Sequence, residues 1–395
     1  MSTDKIKKKE REIQMKRFWV IFLAVMLMTV ALVGCSGGTE EEATPEASSG
    51  DTAQNAETGN SEKPYIAIVA PGFQHQFWQT VYKGAQDAAA KYNVEITFEG
   101  PPTESDISVQ VDMLNNALSK NPDAIIISAL DSQAITQQLL KAKEEGIPVI
   151  GFNSGVPNAP EGTIISTIAT NNYEATKMAA EEMFNNPQFN ERLKAATEDN
   201  PVAIAVQSQD VTAAAIIERT NGFIDTMKAK TEELFPGAVE VVGHQVFAKP
   251  ASKPAVVSIK VTVPPSTSYT DAQAAAQTML SNTKNLIGYF ASNEASVTGI
   301  LAATSDGTEL DREKGKYKDL IVVGFDAGAP QKNAVRKQYF YGSVTQDPYT
   351  IGYKPVEIAY KVINGEKVDE FIDTGAKFYT HENIDDPGIA ELLYD

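Results

Sequence analysis

Cysteine is nearly absent from this chain: its 395 residues hold one, Cys35. A single thiol excludes an intramolecular disulfide and any zinc or iron–sulfur site built from several cysteines. Histidine is scarce too, and His75, His244 and His381 show no metal-ligand spacing with one another. Basic residues fall short, 34 against 52 acidic, for a net charge of −18. That balance argues against nucleic acid, which needs a basic face, and equally against acidic lipid headgroups. Phosphate-binding glycine loops of the G-x-x-x-x-G-K and G-x-G-x-x-G forms are missing. The one G-x-S-x-G, Gly34 to Gly38, abuts an apolar leader and cannot form a strand-to-helix elbow. Nothing in the chain requests an enzyme.

What is present is ordinary globular material: 42% hydrophobic, 22% charged and 8% aromatic residues. At roughly 150 residues per domain the length suggests two or three units, and two is the reading adopted. The N-terminus reads as an address. Lys16 and Arg17 precede an uncharged run from Phe18 to Val33, which ends in Leu32-Val33-Gly34-Cys35. Those sixteen positions span about 24 Å as a helix, short of the roughly 30 Å hydrocarbon core, so a cleaved signal is preferred over a permanent span. Met15 is a plausible alternative start, because Met15 to Cys35 is a complete signal by itself. Ser36 to Lys63 holds no aromatic residue and reads as a flexible tether. The first 34 residues carry +4, so their removal leaves −22; the acidity belongs to the remainder.

From Pro64 the pattern alternates short β-rich runs with helical periods. Tyr65 to Ala70 reads as a strand; Phe77, Val81, Ala85, Ala88 and Tyr92 then mark one helix face. Ala124 to Ile127 is apolar at consecutive positions, as a strand covered on both faces should be. Asp131 or Ser132 is expected to cap the helix that runs to Glu145. The same grammar restarts at Val202. An internal echo links the halves: Val149-Ile150-Gly151-Phe152-Asn153 and Val322-Val323-Gly324-Phe325-Asp326. Strand–helix alternation at this spacing predicts parallel, doubly wound α/β sheets.

Ligands of open parallel sheets bind beyond the carboxyl ends of the strands. The residues falling there are His75, Phe77 and Trp78 after the first strand, Asn153 and Ser154 after the fourth, Gln207 to Asp210, Asn293 with Glu294, Asp326, and Gln346. Aromatic faces with amide, carboxylate and guanidinium groups suit a neutral polyhydroxylated ligand. Each also has a plainer reading: Phe77 or Trp78 as a core staple, Asp326 as the cap of the following helix, His75 as a loop or surface residue.

In this order the motifs resemble the type I solute-binding proteins of bacterial ABC importers, the ribose-type sugar-binding group. They are Ile66 to Val69 leading to Phe77-Trp78, Lys83-Gly84-Ala85, Pro122 to Ile127, Gly146 to Ile150, Glu218 to Phe223, Phe290 to Glu294, Val323 to Asp326, Asp373-Thr374-Gly375 and Glu382 to Asp385. Leu-Val-Gly-Cys likewise resembles a bacterial lipobox, which would make Cys35 the lipidated residue. The resemblance implies two flavodoxin-like doubly wound lobes joined by a three-segment hinge, residues 64–169 plus 347–373 and residues 170–346 plus 374–395. Phe77 and Trp78 would sandwich a sugar ring, with Arg219, Tyr269, Asn293, Asp326 and Gln346 completing the site. Two departures stand out: His75 replaces the asparagine of ribose binders, and Asn153-Ser154 replace their Asp-Arg. The stretch from His244 to Ser268 is longer than the family's usual strand and turn, and a hairpin near the cleft mouth is expected there.

The expectation is therefore a non-enzymatic, lipid-anchored extracytoplasmic monomer without cofactor or metal. It would capture a monosaccharide and deliver it to an ABC permease, touching the membrane through its anchor alone. A furanose signalling molecule or nucleoside is the alternative ligand. A cell-envelope enzyme or a sugar-responsive repressor is the alternative class, and the latter would need a helix-turn-helix where the lipobox stands.

Overall fold

The computed structural model describes residues 63–73 and 75–394. The expected signal, Cys35 and most of the tether lie outside the described residues. Among those described, no helix is long and apolar enough to cross a membrane.

Two sheets organise the chain. The first is built from β1 (Tyr65–Val69), β2 (Glu95–Glu99), β3 (Ala124–Ile127), β4 (Val149–Phe152), β5 (Ser166–Ala169) and β12 (Phe371–Asp373). Its order is β12-β5-β4-β3-β1-β2, parallel throughout. The second contains β6 (Val202–Gln207), β7 (Val239–Val242), β8 (Val257–Thr262), β9 (Leu286–Ala291), β10 (Ile321–Phe325), β11 (Gly342–Gln346) and β13 (Ala376–Thr380). Its order is β13-β11-β10-β9-β6-β8-β7, with β13 alone antiparallel. The chain passes between the sheets three times, after Ala169, after Gln346 and after Asp373. Two crossings lie side by side, tied by Thr374 N–H to Ala169 O at 3.0 Å and Asn171 N–H to Asp373 Oδ1 at 3.0 Å.

The helices are α1 (Gln76–Tyr92), α2 (Ile107–Ser119), α3 (Thr136–Glu144), α4 (Asn172–Asn185), α5 (Pro187–Lys194), α6 (Ala214–Leu234), α7 (Tyr269–Asn282), α8 (Glu294–Ala303), α9 (Ala329–Arg336), α10 (Pro348–Ile363) and α11 (Pro387–Ala390). The consecutive apolar residues of β3 are all buried, because helices cover both faces of a parallel sheet. Helix α1, which carries Phe77 and Trp78, is seated by backbone contact with α10. A Cβ added to Gly352 would stand 1.8 Å from Val81 O, and one added to Gly84 2.2 Å from Tyr349 O. Only glycine permits that approach.

Two expectations need correction. Asp131 caps no regular helix: its Oδ1 accepts from Gln133 N and Ala134 N at 2.7 and 3.1 Å, an Asx turn, and α3 begins later at Thr136. Nor does the long stretch before Ser268 form a hairpin at the cleft mouth. Strand β8 lies parallel between β6 and β7. The alternation of Val257, Ile259 and Val261 with Ser258, Lys260 and Thr262 reports one-faced burial and says nothing of strand direction. The segment between β7 and β8 runs back along the sheet edge: Val241 and Lys249 exchange backbone hydrogen bonds of 2.8 and 3.0 Å, and Ser252 N–H donates to Gly237 O at 2.9 Å. It covers polar groups that an edge strand otherwise exposes.

Candidate ligand-binding site

One cavity collects residues from the carboxyl ends of both sheets. Its lining includes His75, Phe77, Trp78, Glu104, Asn153, Ser154, Gln209, Arg219, Asn293, Asp326 and Gln346. The cavity, about 60 Å³, has room for a few water molecules. In this conformation it is sized for a small occupant.

The charges inside are paired. Arg219, 4% exposed, donates through Nε to Asn172 Oδ1 at 2.8 Å and through Nη1 to Ser292 O at 3.3 Å. Its guanidinium carbon lies 3.9 Å from the Phe325 ring centroid, and Nη1 stands 3.7 Å from Asp326 Oδ2. Burial draws the Arg219 pKa down, and the Asp326 carboxylate opposes that shift. Asp326 receives Gln346 Nε2 on Oδ1 at 2.8 Å and Glu294 N–H on Oδ2 at 3.0 Å. It therefore takes the first N–H of α8, whose N-cap is Asn293 with Oδ1 accepting from Ser296 N–H at 3.1 Å, and does not cap the helix that follows it in sequence.

The second pair is His75 with Glu104, whose Nε2 and Oε1 are 3.5 Å apart. Burial works against the imidazolium, but the negative charge of Glu104 foremost, with that of Glu294 and Asp326, outweighs it and holds His75 up at about 9; His75 Nε2 itself has no hydrogen-bond partner. Burial likewise opposes the Glu104 carboxylate, while His75, Trp78 and Gln209 bring it down to about 2. Trp78 Nε1 donates to Glu104 Oε1 at 2.9 Å, and Gln209 Nε2 donates to Oε2 at 3.0 Å. Glu294 lies just outside the lining; burial pushes its carboxyl up to about 7.

Contacts between the two sheets' elements bridge the cavity. His75 Nδ1 and the Tyr269 hydroxyl are 3.0 Å apart, Ser105 Oγ and Thr267 Oγ1 2.9 Å, and Ala215 N–H reaches Ser154 Oγ at 3.3 Å. Two amide oxygens of the lining, Asn153 Oδ1 and Gln346 Oε1, are buried without a hydrogen-bond partner.

Residues 66–367 match the model of the periplasmic binding protein domain. The chain belongs to the periplasmic binding protein family. Members of that family similar to it include the ribose import binding protein RbsB of Bacillus subtilis, 22% identical over 331 residues, covering 84% of this chain and 92% of the relative. The Escherichia coli protein of the same name is 27% identical over 309 residues, 78% of this chain and 87% of its own. Both are import binding proteins, not enzymes. Among solved structures, one described as an ABC transporter, LacI family transcriptional regulator from Brachyspira murdochii is 37% identical with a TM-score of 0.69, covering 84% of this chain and 99% of that one. An ABC transporter solute-binding protein from Agrobacterium vitis with bound D-fucose is 29% identical with a TM-score of 0.68, over 84% and 100%. The two-lobed α/β architecture is that of the family's type I members.

Of the residues singled out by sequence, ten line the cavity, Gln209 among them, while Gln207, Ser208, Asp210 and Glu294 fall outside its lining. So does Tyr269: it opens α7, is 40% exposed, and closes over His75 at the lip. Phe77 and Trp78 line the cavity and belong to the core as well, so the plainer reading also holds. Their rings meet edge to face, centroids 4.9 Å apart at 88°. A ligand ring can rest against them but not between them. His75 is buried, not a surface residue. Glu104 belongs to none of the motifs; its one signal in the sequence is its place beyond the carboxyl end of β2.

Proposed function

We propose that this chain is an extracytoplasmic solute-binding protein, anchored through a lipid on Cys35, whose lobes close on a monosaccharide and deliver it to an ABC permease. The lobes in this reading are residues 64–169 with 347–373 and residues 170–346 with 374–395, hinged at the three crossings, and the protein acts as a monomer. The observation that carries the ligand class is the charge pairing of the cavity. Each ionised lining group, His75, Glu104, Arg219 and Asp326, has an opposite partner within 3.7 Å. A charged ligand would strand a buried charge, whereas a neutral polyol offers hydroxyl donors to Asn153 Oδ1 and Gln346 Oε1 and C–H faces to Phe77 and Trp78. The bound D-fucose of the 29% identical Agrobacterium vitis protein supports the same class. The perpendicular contact of Phe77 and Trp78 leaves no flat slot between them for a nucleoside base.

A thermal-shift screen of the protein against pentoses, hexoses, polyols and nucleosides tests this. A ligand at 100 times its Kd stabilises the folded state by about 2.7 kcal/mol. A shift with a neutral monosaccharide is expected; a shift confined to nucleosides or charged ligands would overturn the sugar assignment.

A further inference from the structure

Tyr394, beyond α11, is buried and lies outside every motif noted in the sequence. Its hydroxyl accepts the Ala327 N–H at 3.2 Å and donates to Glu294 Oε2 at 3.4 Å. That N–H belongs to the Asp326–Ala327 peptide, whose carbonyl accepts from Ser343 Oγ at 3.0 Å and from the Tyr379 hydroxyl at 2.9 Å. One peptide plane is thus clamped on both sides by three side chains. The residue it sets is Asp326, which holds a φ of +80°, a region a side-chain-bearing residue keeps only when its surroundings fix it. The Tyr394 ring meets Phe77 edge to face, centroids 6.0 Å apart, and Phe77 in turn meets Trp78. Tyr394 follows β13 of the second sheet, while Phe77 and Trp78 ride on the helix after β1 of the first.

We propose that Tyr394 is a positioning residue of the binding site, holding the Asp326 turn through its hydroxyl and backing Phe77 through its ring. The proposal rests on the reading of the cavity as a ligand site. Without the hydroxyl, the Ala327 N–H is left unpaired in a buried place, so the peptide is held from its carbonyl side alone and the carboxylate that receives Gln346 and faces Arg219 is aimed less firmly. Without the ring, Phe77 loses one of its two aromatic neighbours.

Two variants separate the arms. Tyr394→Phe keeps the ring and removes the hydroxyl; Tyr394→Ala removes both. In the ligand-free protein, Tyr394→Phe should speed amide exchange at Ala327 by about two- to tenfold, the value of one hydrogen bond, with β3 exchanging as in wild type. Trp78 emission should stay at the wild-type position in Tyr394→Phe and move in Tyr394→Ala; the other tryptophan, Trp19, lies in the expected signal and, where the signal is retained, is the same in all three proteins. Calorimetry with D-ribose and D-fucose should show affinity about two- to tenfold weaker in Tyr394→Phe for whichever sugar wild type binds. Wild-type exchange at Ala327 in Tyr394→Phe, unchanged emission in Tyr394→Ala, or unchanged affinity for a sugar that wild type binds would each overturn the proposal. If wild type binds neither sugar, exchange and emission still decide it, and only the sugar reading suffers.

Discussion

Asn153 and Asp326 occupy the same place in the two lobes: each follows a Gly-Phe pair at the carboxyl end of a parallel strand, and each lines the cavity. Both take positive φ, 54° and 80°, which Asn and Asp tolerate better than other side-chain-bearing residues. The turn lifts a short polar side chain off the strand axis and aims it into the cleft. In the second lobe the residue is charged and carries the network of Arg219, Gln346 and α8; in the first it is an amide whose oxygen has no partner.

Asp326→Ala should therefore cost more than one ligand contact. It unpairs buried Arg219 and removes the acceptor of the Glu294 N–H. Sugar affinity should fall by roughly 1–3 kcal/mol, measured by calorimetry. Unchanged affinity would remove Asp326 from the site.

Gly352→Ala tests how α1 is seated. The new methyl would meet Val81 O and its carbonyl carbon at 1.8 and 2.6 Å, backbone that cannot rotate away. Destabilisation of at least about 1–3 kcal/mol is expected, the usual result of overpacking. Equilibrium urea unfolding with a wild-type midpoint would show that the helices are not in contact there.

The His75–Glu104 pair gives stability a pH window. His75 titrates at about 9 when folded against 6.5 ordinarily, so its contribution is complete below pH 6.5 and is lost as pH climbs to about 9. Glu104 titrates at about 2 against 4.5, so its contribution is complete above pH 4.5 and is lost as pH falls towards 2. The thermal midpoint of wild type relative to His75→Gln should decline from pH 6.5 to 9; a difference that stays flat across that range would show that the imidazolium is not paired.

Cys35→Ser should abolish incorporation of labelled palmitate in a bacterial host and release the protein from the membrane fraction, with sugar affinity unchanged. Label persisting in the variant would place the lipid elsewhere, and no label in wild type would show that there is none.

Much of this was legible because burial leaves a pattern. Four consecutive apolar residues marked β3 as doubly covered, and the strand-end rule reached Asn153, Asp326 and Gln346 without any knowledge of their partners. What escaped depended on three-dimensional relations. The alternation in β8 is identical for parallel and antiparallel pairing, so its place between β6 and β7 could not be read. Tyr269 has the right residue type near the right helix start, yet faces the lip because it is the first residue of that helix. The perpendicular contact of Phe77 with Trp78 follows from the packing of α1 against its neighbours, and Tyr394 reaches the site from nearly 70 residues beyond Asp326.

The central claim is that the cavity takes one neutral monosaccharide. Titration calorimetry of the protein against D-ribose, D-fucose and other neutral monosaccharides, with nucleosides and charged sugars in parallel, tests it most directly. Saturable one-to-one binding of a neutral monosaccharide, weakened by Asp326→Ala, is the expected result. Binding confined to a nucleoside or a charged ligand, or sugar binding indifferent to Asp326, would contradict it.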